Sequence, residues 1–522
     1  MESRISQIFR SSSGITFLSL LSTIFGFITQ IILAAIFGTA KEMDAYLVSI
    51  TIPAMVISIF SGSLNYTFIP VFVENKTKGL HAEAWETVNN LFNLSFIVFL
   101  ALALLGIIYS VRIVNIIAPG LSEVTKSIAC SLFKIQIPMI AFSGVSAILS
   151  GIYYAEKKFL YPSIANLINS AILFIIVYLF SGTLGIRAVA WGGIIGSCAA
   201  FFMLLPALLK VPKYKFTFTL KEQGTQRILR LIIPLLFGAI FYRADNLIQR
   251  YIASSLTTGS ISYLGYAFKL VSTASSLIVS GISIVLLQHV SELSSQNNVK
   301  EIGHTFSSAF KWLTFFIMPI IIIMVIVGRD LINILFQRGR FDELATYSTW
   351  LCLMLYSGVF YGGIIGSITT PIFYAYKNTN IVVTIGIAGA LLQAFLSYFL
   401  AKSFSYSGLP IAYSISNLIT IFIFLITLNK KYVTIPLKEM LTMLILVCSA
   451  GIVVTLMLWQ VKTFLLLNVS PYLRFTIMVP VIGIFYLGIC SLLKINEAIK
   501  FEKFIYSLKH QFKIVKIFKQ KT

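Results

Sequence analysis

The sequence predicts an all-α, polytopic membrane protein of about 14 transmembrane helices, and three observations carry that prediction. Of its 522 residues, 58% are hydrophobic and 11% charged, whereas a soluble domain carries about 25% charged residues. The mean hydropathy is +0.91, too high for a chain that must cover itself with water-facing side chains. The apolar residues also fall in runs of about 20, the length at which a helix rising 1.5 Å per residue crosses a hydrocarbon core.

Taken in order, spans are expected near 13–37, 43–66, 89–112, 128–151, 160–181 and 186–209, which form an N-terminal lobe over 1–209. A basic, polar stretch over 210–228, containing KVPKYKFTFTLKEQGTQR, reads as a cytoplasmic linker. Spans near 229–254, 261–288, 306–328, 346–373, 380–401 and 408–428 form a second lobe over 229–428. An amphipathic external connection, Gly328 to Thr346, interrupts that lobe. Two further spans, near 440–461 and 471–493, occupy 429–493, and a tail over 494–522 alternates lysines with Phe501, Phe504, Ile505, Leu508 and Phe512. As a helix that tail would lie on the inner leaflet, with its lysines on anionic headgroups.

The first two spans make a tight hairpin around Phe37-Gly38, followed by Lys41, Glu42 and Asp44. Hydroxyls crowd its second arm at Ser49, Thr51, Ser58, Ser61, Ser63 and Thr67, beside Asn65; ordinary helix packing accounts for such residues more readily than a wet cavity does. The stretch from Arg243 to Glu292 repeats the plan. A shift of 218 positions carries Ala35 onto Ala253, Asp44 onto Ser262 and Glu74 onto Glu292, as in a fold built from duplicated halves.

The formal charge of +22 reflects topology and not nucleic acid binding. With both termini in the cytoplasm, most of the 40 lysines and arginines fall on the cytoplasmic side, as the positive-inside rule requires. The five cysteines and four histidines are scattered singly, so no metal cluster or nucleophile constellation is expected. No phosphate-cradling glycine loop occurs, which argues against an ATP-driven pump, and no cofactor is expected.

Ionisable groups inside a bilayer cost about 2.5–3.5 kcal/mol each and need water, a partner or a role. Arg243, Asp245 and Lys269 are the candidates here. Two residues apart, Arg243 and Asp245 would lie on different faces of one helix, leaving Asp245 to bind a proton or monovalent cation, or to pair with Lys269. Lys134 is better read as a snorkelling lysine.

At these residues the chain resembles the MurJ/MviN family, the lipid II flippases of the multidrug/oligosaccharidyl-lipid/polysaccharide exporter superfamily. The resemblance rests on Phe37-Gly38 with Asp44-Ala45, Pro53, FIPVF over 68–72, Ala118-Pro119-Gly120, Pro162 with Asn166, Ala253-Ser254 with Gly259-Ser260, Tyr266-Ala267 with Lys269-Leu270, and LFQRGRF over 335–341. It implies two six-helix lobes around a central cavity, a C-terminal helix pair grooved for a polyprenyl tail, and alternating access without ATP. The substrate it implies is an undecaprenyl-diphosphate-linked glycan moved from the inner to the outer leaflet of the bacterial cytoplasmic membrane. It also implies conformational roles for Gly38, Asp44, Pro53, Arg338 and Gly339. The expected partners are the lipid-linked glycan and membrane lipids, with no nucleic acid, and the chain is expected to act as a monomer.

The departures fall where the family carries arginines suited to a diphosphate. Here those positions hold Ser22-Thr23, Thr29 and Ile57-Ser58. Lys269 keeps a cation at a matching position, and Arg243 stands where the family often has glutamine. The expected substrate contacts are therefore Lys269, Arg243, Ser22, Thr23, Thr29 and Asn65, with Asp245 as the coupling site. Two other readings compete: a cation-coupled exporter of small amphipathic compounds, and a membrane scaffold that no longer transports.

Overall fold

The computed structural model describes residues 2–210, 219, 222–295, 299–376, 378–466 and 469–504. Most of the expected basic linker, and the tail beyond 504, lie outside the described residues. Among the described residues every regular element is a helix.

The chain divides into two compact units, one of residues 1–265 with 336–345 and the other of 266–335 with 346–522. In the first lie α1 (Glu2–Phe37), α2 (Lys41–Thr77), α3 (His81–Ile108), α4 (Ser110–Ile117), α5 (Glu123–Gln136), α6 (Met139–Ala155), α7 (Leu160–Leu184), α8 (Arg187–Leu204), α9 (Gln223–Tyr242) and α10 (Asp245–Ala253). The helix α11 (Ser260–Ser295) begins in the first unit and continues into the second. There follow α12 (Val299–Ile326), α13 (Gly328–Phe336), α14 (Glu343–Leu355), α15 (Ser357–Ala375), α16 (Thr379–Phe404), α17 (Gly408–Lys431), α18 (Leu437–Leu465) and α19 (Pro471–Leu492).

Eleven stretches among the described residues are long and apolar enough to cross a membrane, or twelve if α14 and α15, bent by 42°, make one span. One of the eleven, Asn380–Lys431, is 52 residues long and holds both α16 and α17. That is about 78 Å of helix, enough for two crossings. Each of the fourteen expected spans coincides with a helix or a broken pair of helices. The fourth is broken at Ile137-Pro138, where proline removes an N–H and crowds the preceding turn.

Helix ends follow local chemistry. The Ser122 hydroxyl accepts from the Thr125 N–H at 3.3 Å to cap α5, and Asn378 and Ser470 cap α16 and α19 in the same way. The Glu222 carboxylate accepts from the N–H groups of Gly224 and Thr225 at 2.7 and 2.6 Å, which starts α9. The hydroxyls of α2 mostly bond back to their own helix, Thr51 to the Leu47 carbonyl at 2.7 Å and Thr67 to that of Ser63 at 3.1 Å, in line with ordinary helix packing.

The core of the first unit lies where α2, α3, α6 and α9 meet. Leu64, Phe68, Val71 and Phe72 recur at helical spacing on α2 and pack against Trp85 and Val88 of α3 and Ile148 and Ile152 of α6. At one end of α2, Glu74 pairs with Lys78 and Arg227, while Glu156 pairs with Lys76 and Lys158. Thirty residues earlier on the same helix lies Asp44.

The core of the second unit is made by α12, α18 and α19. Phe315, Met318 and Ile322 face Val447, Ala450 and Val454, with Met478, Ile482 and Tyr486 closing the third side. The Tyr486 hydroxyl donates to the Phe315 carbonyl at 2.9 Å. Outward-facing Ile108, Phe464 and Ile484 are exposed, which suits a surface solvated by lipid tails.

Asp330, at the start of α13, joins this core to the far end of α18 and α19. Its side chain is 4% exposed and meets Lys462 at 3.0 Å and Arg474 at 3.1 Å. Lys462 also donates to the Ile326 carbonyl at 2.5 Å, and Arg474 to that of Val469 at 2.7 Å. Replacing Asp330 with Asn would leave two cations facing one another with no carboxylate between them. The expected loss is about 3–5 kcal/mol, read as a lowered unfolding midpoint in detergent. Lys126→Gln, which breaks the exposed pair with Glu123, should cost about 0–1 kcal/mol. Equal effects of the two substitutions would contradict this assignment.

Candidate functional site: a clasp on the first helical turn

The turn between α1 and α2 is three residues long, Gly38-Thr39-Ala40. Gly38 ends α1 in the left-handed region, with φ of +56°, and its N–H donates to the Ala34 carbonyl at 2.9 Å, the usual glycine stop of a helix. Two other segments of the first unit close on this turn.

The first is Phe336–Phe341, the part of LFQRGRF that reverses the chain after α13. Gly339 is also left-handed, at φ +59°. Any Cβ on Gly339 would collide with the Ala35 carbonyl, and any Cβ on Gly38 with the Arg340 carbonyl. The two glycines thus let two backbones touch, and the Arg340 N–H donates to the Ala35 oxygen at 2.8 Å. Phe336 and Phe341 are fully buried, their rings 5.8 Å apart, with Phe27 of α1 6.2 Å from Phe336. Arg338 is exposed on the same reversal.

The second is the loop from α10 into α11. Asp44, 3% exposed, accepts the Gly259 N–H on Oδ2 at 2.7 Å. On Oδ1 it accepts both the N–H and the hydroxyl of Ser262, at 2.9 and 2.5 Å. These are the first N–H groups of α11, which have no acceptor within their own helix. The carboxylate is therefore a cap supplied from another helix. Arg250 braces the same loop by donating to the Ile261 carbonyl at 3.0 Å. The α4–α5 connection abuts the end of α10, where the Gly120 N–H donates to Ser254 Oγ at 3.1 Å.

Asp44 and Ser262 are the two positions that the 218-residue shift superposes.

Of the expected conformational residues, the structure brings Gly38, Asp44 and Gly339 together, with Arg338 on the rim. Pro53 is buried within α2, two to three turns along from Asp44. Sequence reasoning missed Ser262 as a ligand of Asp44, and missed Arg250 and Gly120 as braces. The register shift held the signal for Ser262.

The expected substrate residues are dispersed. Ser22 shares a hydrogen bond with Ser170 of α7 at 2.9 Å and lies 3.4 Å from the Asn166 carbonyl. Thr23 donates to the Ser19 carbonyl and Thr29 to that of Phe25, and Thr29 is buried. Asn65 is exposed on α2, and Lys269 is exposed on the part of α11 that belongs to the second unit. The span expected near 229–254 is present as Gln223–Ala253 but is made of two helices. The helix breaks at Arg243-Ala244, so Asp245, still within the candidate span Gln223–Ala253, is the first residue of α10, where an acid complements the helix dipole.

Comparison with known proteins bears on what this arrangement serves. The family model described as "Lipid II flippase MurJ" matches residues 33–481. The chain belongs to the lipid II flippase MurJ family. The clasp is assembled from residues inside the matched region. The probable lipid II flippase MurJ of Buchnera aphidicola subsp. Schizaphis graminum (strain Sg) is 28% identical over 434 residues, covering 81% of this chain and 84% of that protein. The lipid II flippase MurJ of Burkholderia cenocepacia is 24% identical over 472 residues, covering 88% and 91%. A solved structure of lipid II flippase MurJ in an inward closed conformation superposes with a TM-score of 0.80 at 23% identity, over 92% of this chain and 98% of that one. An inward-facing multidrug transporter of the MATE family shares the fold at a TM-score of 0.66 and 12% identity, over 79% of this chain and 94% of that one. As a MurJ family member the chain is a transporter and not an enzyme.

The clasp makes a quantitative prediction. Asp44→Asn replaces a charged acceptor of three donors and should cost about 2–3 kcal/mol. Adding Ser262→Ala to Asp44→Asn should cost much less than Ser262→Ala alone, a coupling of at least about 1 kcal/mol. Reversible denaturation in mixed micelles measures it, and strictly additive losses would show that the bond contributes nothing.

Proposed function

We propose that this chain moves lipid II, the undecaprenyl-diphosphate-linked precursor of peptidoglycan, from the inner to the outer leaflet of the bacterial cytoplasmic membrane. The observation that carries the reading is the family match over 33–481, together with the family's turn residues gathered at one clasp. The chain works by alternating access, as a monomer with both termini in the cytoplasm. The clasp around Asp44 is the outward-side latch: closed while substrate enters from the inner leaflet and opened to release it.

Arg243 and Lys269 meet the diphosphate. Lys269 is an exposed side chain on α11 and Arg243 an exposed side chain at the break between α9 and α10, and cationic side chains suit the negative charge of a diphosphate. The family's arginine positions here hold Ser22, Thr23 and Thr29, which give hydroxyls already bonded within the protein, so recognition shifts to Arg243 and Lys269. Asp245, at the N-terminus of α10, is the site of proton or monovalent-cation coupling.

Complementation tests the reading. Expressed in a bacterium whose own lipid II flippase is switched off, the chain should restore growth. Arg243→Gln and Lys269→Gln should each lower the flipping rate about tenfold or more, the loss of one charge-assisted contact to phosphate, while the protein still inserts. No growth from an inserted wild-type chain would overturn the lipid II assignment. Full activity in both variants would overturn the diphosphate contacts.

A further inference from the structure

The second unit holds a cavity that the transport reading does not use. It has a volume of about 370 Å³ and lies where α18 begins and the chain leaves α19, beside α12. Since α18 and α19 are apolar enough to cross the membrane, a cavity bounded by Lys438, the second residue of one, and Lys494, two residues past the other, lies at headgroup level.

The walls are fixed. After α19 the chain reverses through Lys494, left-handed at φ +55°, with the Ile495 N–H on the Cys490 carbonyl at 3.0 Å, and a helix restarts over 496–504. Ser491 Oγ donates to Glu502 at 2.6 Å, and the Phe501 ring stands 5.4 Å from that of Phe316. These contacts hold the new helix against α19 and α12.

The charges are arranged as a pair of opposite poles. Lys311 is satisfied by Glu439 at 2.8 Å. That leaves Lys438 and Lys494, both exposed, lining the cavity together with the start of the 496–504 helix; lysines and the first N–H groups of a helix suit a phosphate. Glu497 forms the opposite pole. It lines the cavity, is 7% exposed and has no hydrogen-bond or ion-pair partner among the described residues. A first-turn glutamate that merely answered the helix dipole would keep its carboxylate in water. Glu497 is largely buried yet faces the cavity, so a cation or strong donor seated there would meet its carboxylate.

We propose that this cavity binds the headgroup of phosphatidylethanolamine, its phosphate on Lys438, Lys494 and the helix N-terminus and its ammonium on Glu497. A headgroup with phosphate alone would leave Glu497 uncompensated and bring a second negative charge towards it. The site is independent of the transport reading and stands or falls without it.

The test uses the full chain, delipidated in detergent and titrated with phosphatidylethanolamine or phosphatidylglycerol, with bound lipid counted by native mass spectrometry. Wild type should prefer phosphatidylethanolamine by about tenfold, the value of one charge-assisted hydrogen bond. Glu497→Gln should erase that preference without weakening phosphatidylglycerol, and Lys438→Gln should weaken both lipids. Equal binding of the two lipids by wild type, preference for phosphatidylglycerol, or an unchanged preference in Glu497→Gln would overturn the assignment. Should Glu497→Gln fail to fold, phosphatidylcholine serves on wild type. Its methylated nitrogen has no N–H to give Glu497, so it should bind about tenfold more weakly than phosphatidylethanolamine, and equal binding overturns the proposal.

Discussion

A carboxylate in the wall of a membrane protein must either lose its charge or be surrounded by donors, because nothing in hydrocarbon will solvate it. Asp44 is surrounded. It takes two backbone N–H groups and a hydroxyl from the start of α11, donors that α11 cannot satisfy within its own turns. Each side of the contact therefore answers a deficit on the other. The α1–α2 hairpin cannot leave the α10–α11 loop without exposing both, and this mutual dependence fixes the geometry around the turn.

The same turn receives the reversal after α13 by a different device. There the fit depends on the absence of side chains, since Gly38 and Gly339 let two backbones approach within hydrogen-bonding distance. Aromatic rings from Phe27, Phe336 and Phe341 then fill the space behind. A buried charge on one flank and bare backbone on the other make the contact depend on both sides at once, as the proposed latch requires. The opposite end of α2 carries clustered ion pairs around Glu74 and Glu156. Those pairs are partly exposed and can rearrange at little cost.

Much of this was legible in the sequence, and the reasons are physical. Long apolar runs must become helices in lipid, so each expected span has its helix or a broken pair of helices. The Phe37-Gly38 turn and the charges after it marked a tight hairpin, while the LFQRGRF segment stood out through its resemblance to the family. What sequence did not disclose is which remote segment satisfies Asp44, since Ser262 lies 218 positions away and only the repeat register hinted at it. The break between α9 and α10 also escaped notice. It falls on Arg243-Ala244, with neither proline nor glycine to signal it, and it makes Asp245 a helix start within the expected span. The cavity beside Glu497 was equally hidden, because the left-handed residue that shapes it is a lysine.

The central claim is that the Asp44 clasp opens during transport. Ser262, fully buried against Asp44, offers the most direct probe. In a chain whose five native cysteines are replaced, Ser262→Cys would be exposed to a membrane-impermeant thiol reagent in vesicles. The account predicts that the new thiol is protected at rest and becomes labelled when lipid II is supplied, at a rate that follows flipping. Full flipping with the thiol protected throughout would contradict it.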